Sequence, residues 1–166
     1  MVNLKAKPYN LSDSDIAWVE YYANGSYAIV RGDKNSKTTL LRLPTDIEVH
    51  SLAYDNGTKA LYFIATDDSG QWIGRVNSDK TFSRITEGAY ITISDLRADS
   101  GLLYFGSIAS GKDEAHYFDL LSGKEYQISE STYGSFTPAP MEDGQVVMTT
   151  YDSIGYHPAI QNIDKA

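Results

Sequence analysis

The chain has 166 residues, with 22 acidic and 14 basic side chains, a formal net charge of −8 and no cysteine. This charge argues against nucleic acid and against anionic membranes as partners, because phosphate-binding surfaces have to be basic. The lack of cysteine excludes disulfides, thiolate catalysis and cysteine-ligated zinc. No run approaches 18 apolar residues, so we expect no membrane insertion, and the length favours a single domain over residues 1–166.

The chain repeats one pattern four times. Each copy has a turn of Asp, Asn, Ser, Glu or Gly, then a short apolar strand, then a second turn that contains glycine. The repeat length, about 40 to 45 residues, is typical of a β-propeller blade of four antiparallel strands. The first turns are 13–15, 55–57, 99–101 and 142–144, and the glycines of the second turns are Gly25, Gly70, Gly111 and Gly155.

The predicted strands follow in chain order. Blade one covers residues 7–45, with strands at 7–12, 16–22, 27–31 and 38–43. Blade two covers 46–86, with an apolar strand at 60–63 and a third strand at 71–76. Blade three covers 87–129, with strands at 91–96, 102–105, 115–120 and 124–129. The fourth unit covers 135–163, with strands at 135–139, 145–150 and 156–160 and no fourth strand.

The sequence predicts an all-β, propeller-like fold of about three complete four-stranded blades and a partial fourth. Tyr, Val, Ile and Phe dominate the strands, as suits pleated surfaces packed on both sides. No window of eleven or more residues has the apolar spacing of an amphipathic helix.

Two segments, 50–86 and 94–129, resemble the blades of TolB-like, WD-repeat-related propellers. In that family a blade has an inner strand, an Asp-Gly turn, an apolar strand that ends near Ser-Asp, a strand that often carries Tyr, and a closing Ile-Thr or Leu-Thr. Arg84-Ile85-Thr86 matches the closing element, and Gln127-Ile128-Ser129 matches it more loosely. The resemblance implies a bacterial protein in the periplasm or at the cell surface, although the first ten residues contain no apolar signal core.

An incomplete ring leaves an unpaired strand edge, which invites pairing. Residues 2–5 could supply the missing strand, two chains could associate edge to edge, or the chain could be a piece of a six- to eight-bladed ring in a larger protein. The TolB-like resemblance favours the last of these.

No catalytic constellation is visible in the sequence. His50, His116 and His157 are dispersed, so we expect structural roles for them and neither a metal nor a cofactor. Asp67-Asp68-Ser69-Gly70 resembles part of a calcium loop, but it lacks the remaining EF-hand ligands and is better explained as a turn.

One face of the predicted propeller is the more acidic. It carries the loops that enter each blade and the loops that join the second strand to the third. In these loops the acidic residues outnumber the basic ones, of which Lys112 is the only example. Exposed aromatic rings among acids suit a cationic ligand. The candidate binding residues on this face are Asp46, Asp67, Asp68, Tyr90, Tyr133 and Asp152.

These observations favour a non-catalytic module that binds a protein or a basic peptide within a larger exported protein. Two alternatives stay open, both drawn from known propellers. One is the substrate-filtering propeller of a prolyl-oligopeptidase-type serine peptidase, whose catalytic triad lies in a separate domain. The other is a propeller sugar lyase, which needs clustered metal ligands.

Overall fold

The computed structural model describes residues 3–4, 9–12 and 15–163. Their regular structure is four antiparallel sheets and one short 3-10 turn, Glu142–Gly144. No helix among these residues has the length and apolar character to cross a membrane. The predicted all-β, propeller-like fold is confirmed.

In the first sheet, two short strands pair with the same longer strand. Strand β1 (Asn3–Leu4) pairs with the far end of β3 (Asp15–Tyr21), whereas β2 (Tyr9–Ser12) pairs with the beginning of β3. Asn3 and Leu4 therefore belong to the first sheet, whereas one alternative assigned residues 2–5 to the fourth unit; residues 2 and 5 lie outside the described part. Residues 7, 8, 13 and 14, which were assigned to the inner strand and first turn, lie outside the described part. The strands are β1 (Asn3–Leu4), β2 (Tyr9–Ser12), β3 (Asp15–Tyr21), β4 (Tyr27–Gly32) and β5 (Lys37–Leu43).

The second and third sheets have four strands each, in chain order, joined by hairpins. The second contains β6 (Glu48–Asp55), β7 (Ala60–Asp67), β8 (Gly70–Val76) and β9 (Phe82–Arg84). The third contains β10 (Ile93–Asp99), β11 (Leu102–Ser107), β12 (Glu114–Asp119) and β13 (Lys124–Gln127). The fourth has three described strands, β14 (Ser135–Pro140), β15 (Gln145–Asp152) and β16 (Gly155–Asn162).

The chain divides into two compact units, residues 1–90 and 91–166, each with its own buried cluster. In the first unit, Val19 and Ile29 of the first sheet meet Phe63 and Trp72 of the second. In the second unit, Tyr104 and other residues of the third sheet meet Val146 and Met148 of the fourth. Each side chain of this size contributes roughly 1.5 to 3 kcal/mol when it is fully buried.

In two sheets, a side-chain hydroxyl just beyond the fourth strand accepts a backbone N–H from the third strand. Ile73 of β8 donates its backbone N–H to Thr86 Oγ1 at 2.9 Å, and Ala115 of β12 donates to Ser129 Oγ at 2.8 Å. The residue before each hydroxyl bonds the carbonyl of the same partner. This explains the recurrence of Ile-Thr and Ile-Ser at blade ends, since the hydroxyl satisfies a buried N–H beyond the last strand pair.

Candidate functional site

Four aromatic rings form a connected cluster on the fourth sheet. The ring centroids of Tyr133 and Tyr151 are 6.1 Å apart, those of Tyr151 and Tyr156 are 4.7 Å apart, and those of Tyr156 and Phe136 are 6.1 Å apart. Tyr133 is 58% exposed and Tyr156 is 71% exposed. Exposed rings at these separations offer both faces and edges to a ligand. We call these four residues the aromatic cluster.

The topology of the fourth sheet brings Tyr133 and Asp152 to the same end. Ser135, at the start of β14, pairs with Thr150 near the end of β15, and Tyr151 donates its N–H to the Gly134 carbonyl at 3.0 Å. The loop before β14 therefore lies beside the β15–β16 hairpin. Two of the six predicted site residues therefore lie at this end of the sheet, with Tyr133 against the Tyr151 ring and Asp152 on the opposite face of the strand.

Asp152 shapes the hairpin and also carries an exposed charge. Its Oδ1 accepts the N–H of Ile154 at 2.9 Å, the bond that starts an Asx turn. Its Oδ2 lies 3.5 Å from His157 Nδ1, and both side chains are 39% exposed. The carboxylate can thus hold the turn and still receive a cation from solvent.

A buried carboxylate anchors the loop that carries Tyr133. Glu114 is fully buried; its Oε1 accepts the N–H and the hydroxyl of Ser131 at 2.9 Å each, and its Oε2 accepts the Ser129 hydroxyl. Lys112 Nζ lies 3.5 Å from the same Oε1 and donates to the Ser131 carbonyl. The single lysine of the acidic loops is therefore paired with a buried acid, so it does not offset the exposed acids.

In the first unit, Asp67 is held within the fold. Its Oδ1 accepts the Ser69 hydroxyl at 2.6 Å and the Ser69 N–H at 2.8 Å, and its Oδ2 pairs with Arg84. The Ser69 hydroxyl bond, the Ser69 N–H and the Arg84 charge lower the pKa of Asp67, against the opposing effect of burial. The guanidinium of Arg84 also lies 4.2 Å from the Trp72 ring centroid. The structure supports the turn interpretation of residues 67–70 and assigns Asp67 an arginine within its own sheet.

The other predicted residues of the first unit are exposed near the same end of the second sheet. Tyr90 is 85% exposed, and its hydroxyl donates to the Asp68 carbonyl. Asp46 lies in the turn before β6, whose first residue, Glu48, pairs with Thr66 beside the β7–β8 hairpin. These residues flank the hairpin, but no aromatic cluster surrounds them in the first unit's described part.

The sequence reasoning missed Tyr151 and Tyr156, which complete the aromatic cluster, and Arg84, which neutralises Asp67. The predicted strand 145–150 ended one residue before Tyr151, Tyr156 was the first residue of the predicted strand 156–160, and neither was named as a candidate. Tyr151 is two residues from Thr149, and Tyr156 is two residues from Pro158, which pairs with Thr149. All four residues therefore lie on the same face of the sheet, which is the outer one. A count of strand alternation from the hairpin would have found them.

The histidines make ordinary contacts. His50 Nε2 lies 2.7 Å from Thr66 Oγ1, and His116 Nδ1 lies 2.8 Å from Glu125 Oε1 while its ring stacks on Phe105. Over residues 3–4, 9–12 and 15–163, no three His, Asp or Glu side chains are grouped closely enough to hold a metal ion.

Comparison with known proteins finds a match only at the level of structure. No family model matches the sequence, and no curated protein matches it. TolB from Acinetobacter baumannii aligns with 100% of this chain at a TM-score of 0.73 and 16% identity, and a TolB-type structure from Agrobacterium tumefaciens aligns with 91% at a TM-score of 0.71 and 17% identity. The chain spans 42% and 58% of those two proteins.

Other similar structures have diverse functions. An oligogalacturonate lyase in complex with manganese, a puromycin hydrolase and a protein of a nidogen/laminin complex match with TM-scores of 0.68, 0.67 and 0.67 at 11 to 13% identity. At these identities the similarity shows the fold alone. The chain therefore has the β-propeller fold, as the TolB-like repeats in its sequence predict.

Proposed function

We propose that this chain is a non-catalytic binding module for a protein or peptide with basic residues. The aromatic cluster carries the proposal, and Asp152 adds a carboxylate at the same hairpin, on the opposite face of the sheet. Tyrosine supplies a large, rigid contact area at low entropic cost, and its ring attracts cations. A net charge of −8 attracts basic ligands over a longer range and speeds their association.

The similar structures agree with a binding role without specifying it. The nidogen/laminin match belongs to a structure of two associated proteins, so this fold can serve protein recognition. The match to puromycin hydrolase favours the alternative of a substrate filter beside a separate hydrolase domain. A filter needs little affinity of its own for peptides, so a measured affinity of this chain for peptides separates the two functions.

Fluorescence anisotropy with two labelled peptides of equal length tests the proposal. One peptide repeats Gly-Ser-Arg and the other repeats Gly-Ser-Glu. We expect the chain to bind the arginine peptide alone. Tyr156→Ala should weaken this binding about two- to fivefold, the effect of one exposed cation–π contact. Tyr126→Ala is the matched control, because Tyr126 is also exposed but stacks on Tyr117, outside the aromatic cluster. Equal binding of both peptides, or equal effects of the two variants, would refute the proposal.

We place the module in an exported bacterial protein, in the periplasm or at the cell surface, because its fold is TolB-like. Fractionation of the native host, with an antibody against this chain, tests the location. A signal confined to the cytosolic fraction would contradict it.

A further inference from the structure

A polar cleft of about 340 Å³ lies at one end of the first sheet. Arg31 pairs with Ala17 of β3, two residues before the buried Val19, so it lies on the side of the sheet that packs against the second sheet. The cleft is therefore bounded by residues within the first unit. Its polar lining residues are Ser12, Asp15, Arg31, Asp33, Ser36 and Thr38.

An ion pair forms one wall of the cleft. The Nε and Nη2 atoms of Arg31 lie 2.6 and 2.5 Å from Asp15 Oδ2. The Arg31 side chain is nevertheless 48% exposed. Of the described residues, only Asp15 is hydrogen-bonded to this side chain, and it uses one edge of the guanidinium. The Nη1 atom of Arg31 can therefore donate to a ligand.

An ionised aspartate also lines the cleft. Asp33 Oδ1 accepts the N–H of Asn35 at 2.7 Å and the N–H of Ser36 at 2.9 Å. These two bonds lower the pKa of Asp33, so its carboxylate is charged at neutral pH. Because both bonds fall on Oδ1, the Oδ2 atom can accept a hydroxyl group of a ligand.

The lining favours one class of ligand over the others. Two carboxylates and one guanidinium give it a net charge of −1, which disfavours phosphates and other anions. The guanidinium disfavours metal ions, and in the described part of the chain no three His, Asp or Glu side chains are close enough to bind one. The hydroxyls of Ser12, Ser36 and Thr38 can each donate and accept. Such a mixture of donors and acceptors matches a neutral molecule with several hydroxyl groups.

Tyr54 of the second sheet lies within electrostatic reach of this cleft. It packs against the buried cluster of the first unit. The pKa of Arg31 is raised chiefly by the hydrogen bond from Asp15 and further by the charge of Tyr54. An aromatic ring close to hydrogen-bonding groups suits a sugar, which has apolar C–H faces as well as hydroxyl groups.

We propose that this cleft binds a neutral saccharide through one of its sugar rings. Arg31 Nη1 donates to a ring or hydroxyl oxygen, and Asp33 Oδ2 accepts from a hydroxyl group. The cleft volume is at the lower end of the range for small-molecule sites, which suits a single ring. The aromatic cluster lies in the other unit, so the saccharide is a second ligand in addition to the proposed basic peptide.

The probes are the methyl α-glycosides of glucose, galactose and mannose, added to the isotopically labelled full chain. Amide chemical shifts report both the position and the affinity of binding. We expect at least one glycoside to bind saturably with a Kd of about 1 mM, the affinity of a ligand with about a dozen non-hydrogen atoms at ordinary efficiency. The largest shifts should fall on residues 12, 15 and 31–38.

Two aspartates in equivalent turns provide a variant and its control. Asp33→Asn removes the charge but keeps the turn, because asparagine also forms Asx turns. It should weaken glycoside binding about three- to tenfold, as for one charge-assisted hydrogen bond at an exposed site. Asp79 also accepts the N–H two residues later, from Thr81 at 3.1 Å, but it lies between β8 and β9, outside the cleft. Asp79→Asn should therefore bind the glycoside as the wild type does.

Three outcomes would overturn the proposal. If none of the three glycosides causes a saturable shift, the cleft is not a saccharide site. If Asp33→Asn binds as tightly as Asp79→Asn, the sugar lies elsewhere on the chain. If glucose 6-phosphate shifts the same residues at lower concentration than the methyl glucoside, the cleft is an anion site. The Gly-Ser-Arg peptide tests the proposed function separately, so either proposal can fail without the other.

Discussion

Gly70 and Gly155 provide a matched pair of substitutions. Both follow a two-residue hairpin loop and both have positive φ, +98° and +110°. Alanine in this conformation costs about 1 to 2 kcal/mol at either position. The two sites differ in what an added Cβ would meet, since it would have nothing within 4 Å at Gly155 but would lie 2.3 Å from the Ala89 carbonyl oxygen at Gly70.

At Gly70 the segment around Ala89 has to move away. It then loses the two hydrogen bonds that Gln71 and Ala89 exchange, at 2.8 and 3.0 Å, each of which contributes about 1 kcal/mol net. We therefore expect Gly155→Ala to cost about 1 to 2 kcal/mol and Gly70→Ala about 2 kcal/mol more, with further loss if the clash is not fully relieved.

Urea unfolding followed by far-ultraviolet circular dichroism measures both variants. With an m-value near 2 kcal/mol/M, the midpoint of Gly70→Ala should lie about 1 M below that of Gly155→Ala. If Gly155→Ala is destabilised as much as Gly70→Ala, the account of how residues 87–90 cover the β7–β8 hairpin is wrong.

Three further changes test other contacts. Thr86→Val should cost about 1 to 3 kcal/mol in urea unfolding, because the buried N–H of Ile73 loses its acceptor. Glu114→Ala should cost about 3 to 5 kcal/mol, because it leaves a buried set of donors unpaired. The lowered pKa of Asp67 means that its carboxylate stabilises the fold above its ordinary pKa of 3.8 and that this contribution is lost as the pH falls through the lowered value. The stability difference between wild type and Asp67→Asn should therefore shrink below about pH 4.

Each of these three predictions has a control variant or an outcome that would contradict it. Thr38→Val, on an exposed strand position, is the control for Thr86→Val, and equal midpoints of the two variants would refute the role of the Thr86 hydroxyl at the end of the blade. Glu130→Ala removes an exposed glutamate near Glu114 and should stay within about 0.5 kcal/mol of wild type, so an equal effect of both would refute the buried network. A stability difference for Asp67→Asn that does not change with pH would show that the ionised Asp67 carboxylate, with its hydrogen bonds from Ser69 and its ion pair with Arg84, is not responsible.

The fold could be predicted from the sequence because hairpin turns depend on neighbouring residues only. Asp favours a turn by bonding the backbone close by, Gly favours it by adopting positive φ, and both recur at fixed distances from the apolar strands. The strand ends were less accurate: β7 extends to Asp67 beyond the predicted 60–63, and β13 stops at Gln127 before the predicted end at 129. The latter difference arises because Ile128 and Ser129 both bond Ala115 and do not continue the ladder.

The position of two candidate residues could be predicted, but their binding role stays a prediction. Propeller topology placed Tyr133 and Asp152 at the same end of a blade, and both lie at that end of the fourth sheet. Nothing local in the sequence shows that Asp67 is paired, because its partner Arg84 comes from another strand, 17 residues away. Such pairings depend on register across a sheet, which the sequence pattern sets only loosely.

The most direct test of the central claim is the footprint of a bound peptide on the chain. Amide chemical shifts of the isotopically labelled protein would be recorded while the peptide that repeats Gly-Ser-Arg is added. Our account predicts that the largest changes fall on residues 151–160 and around Tyr133, with little change at the β7–β8 hairpin, whose aspartate already holds Arg84. Changes confined to other sheets, or no saturable change at all, would contradict it.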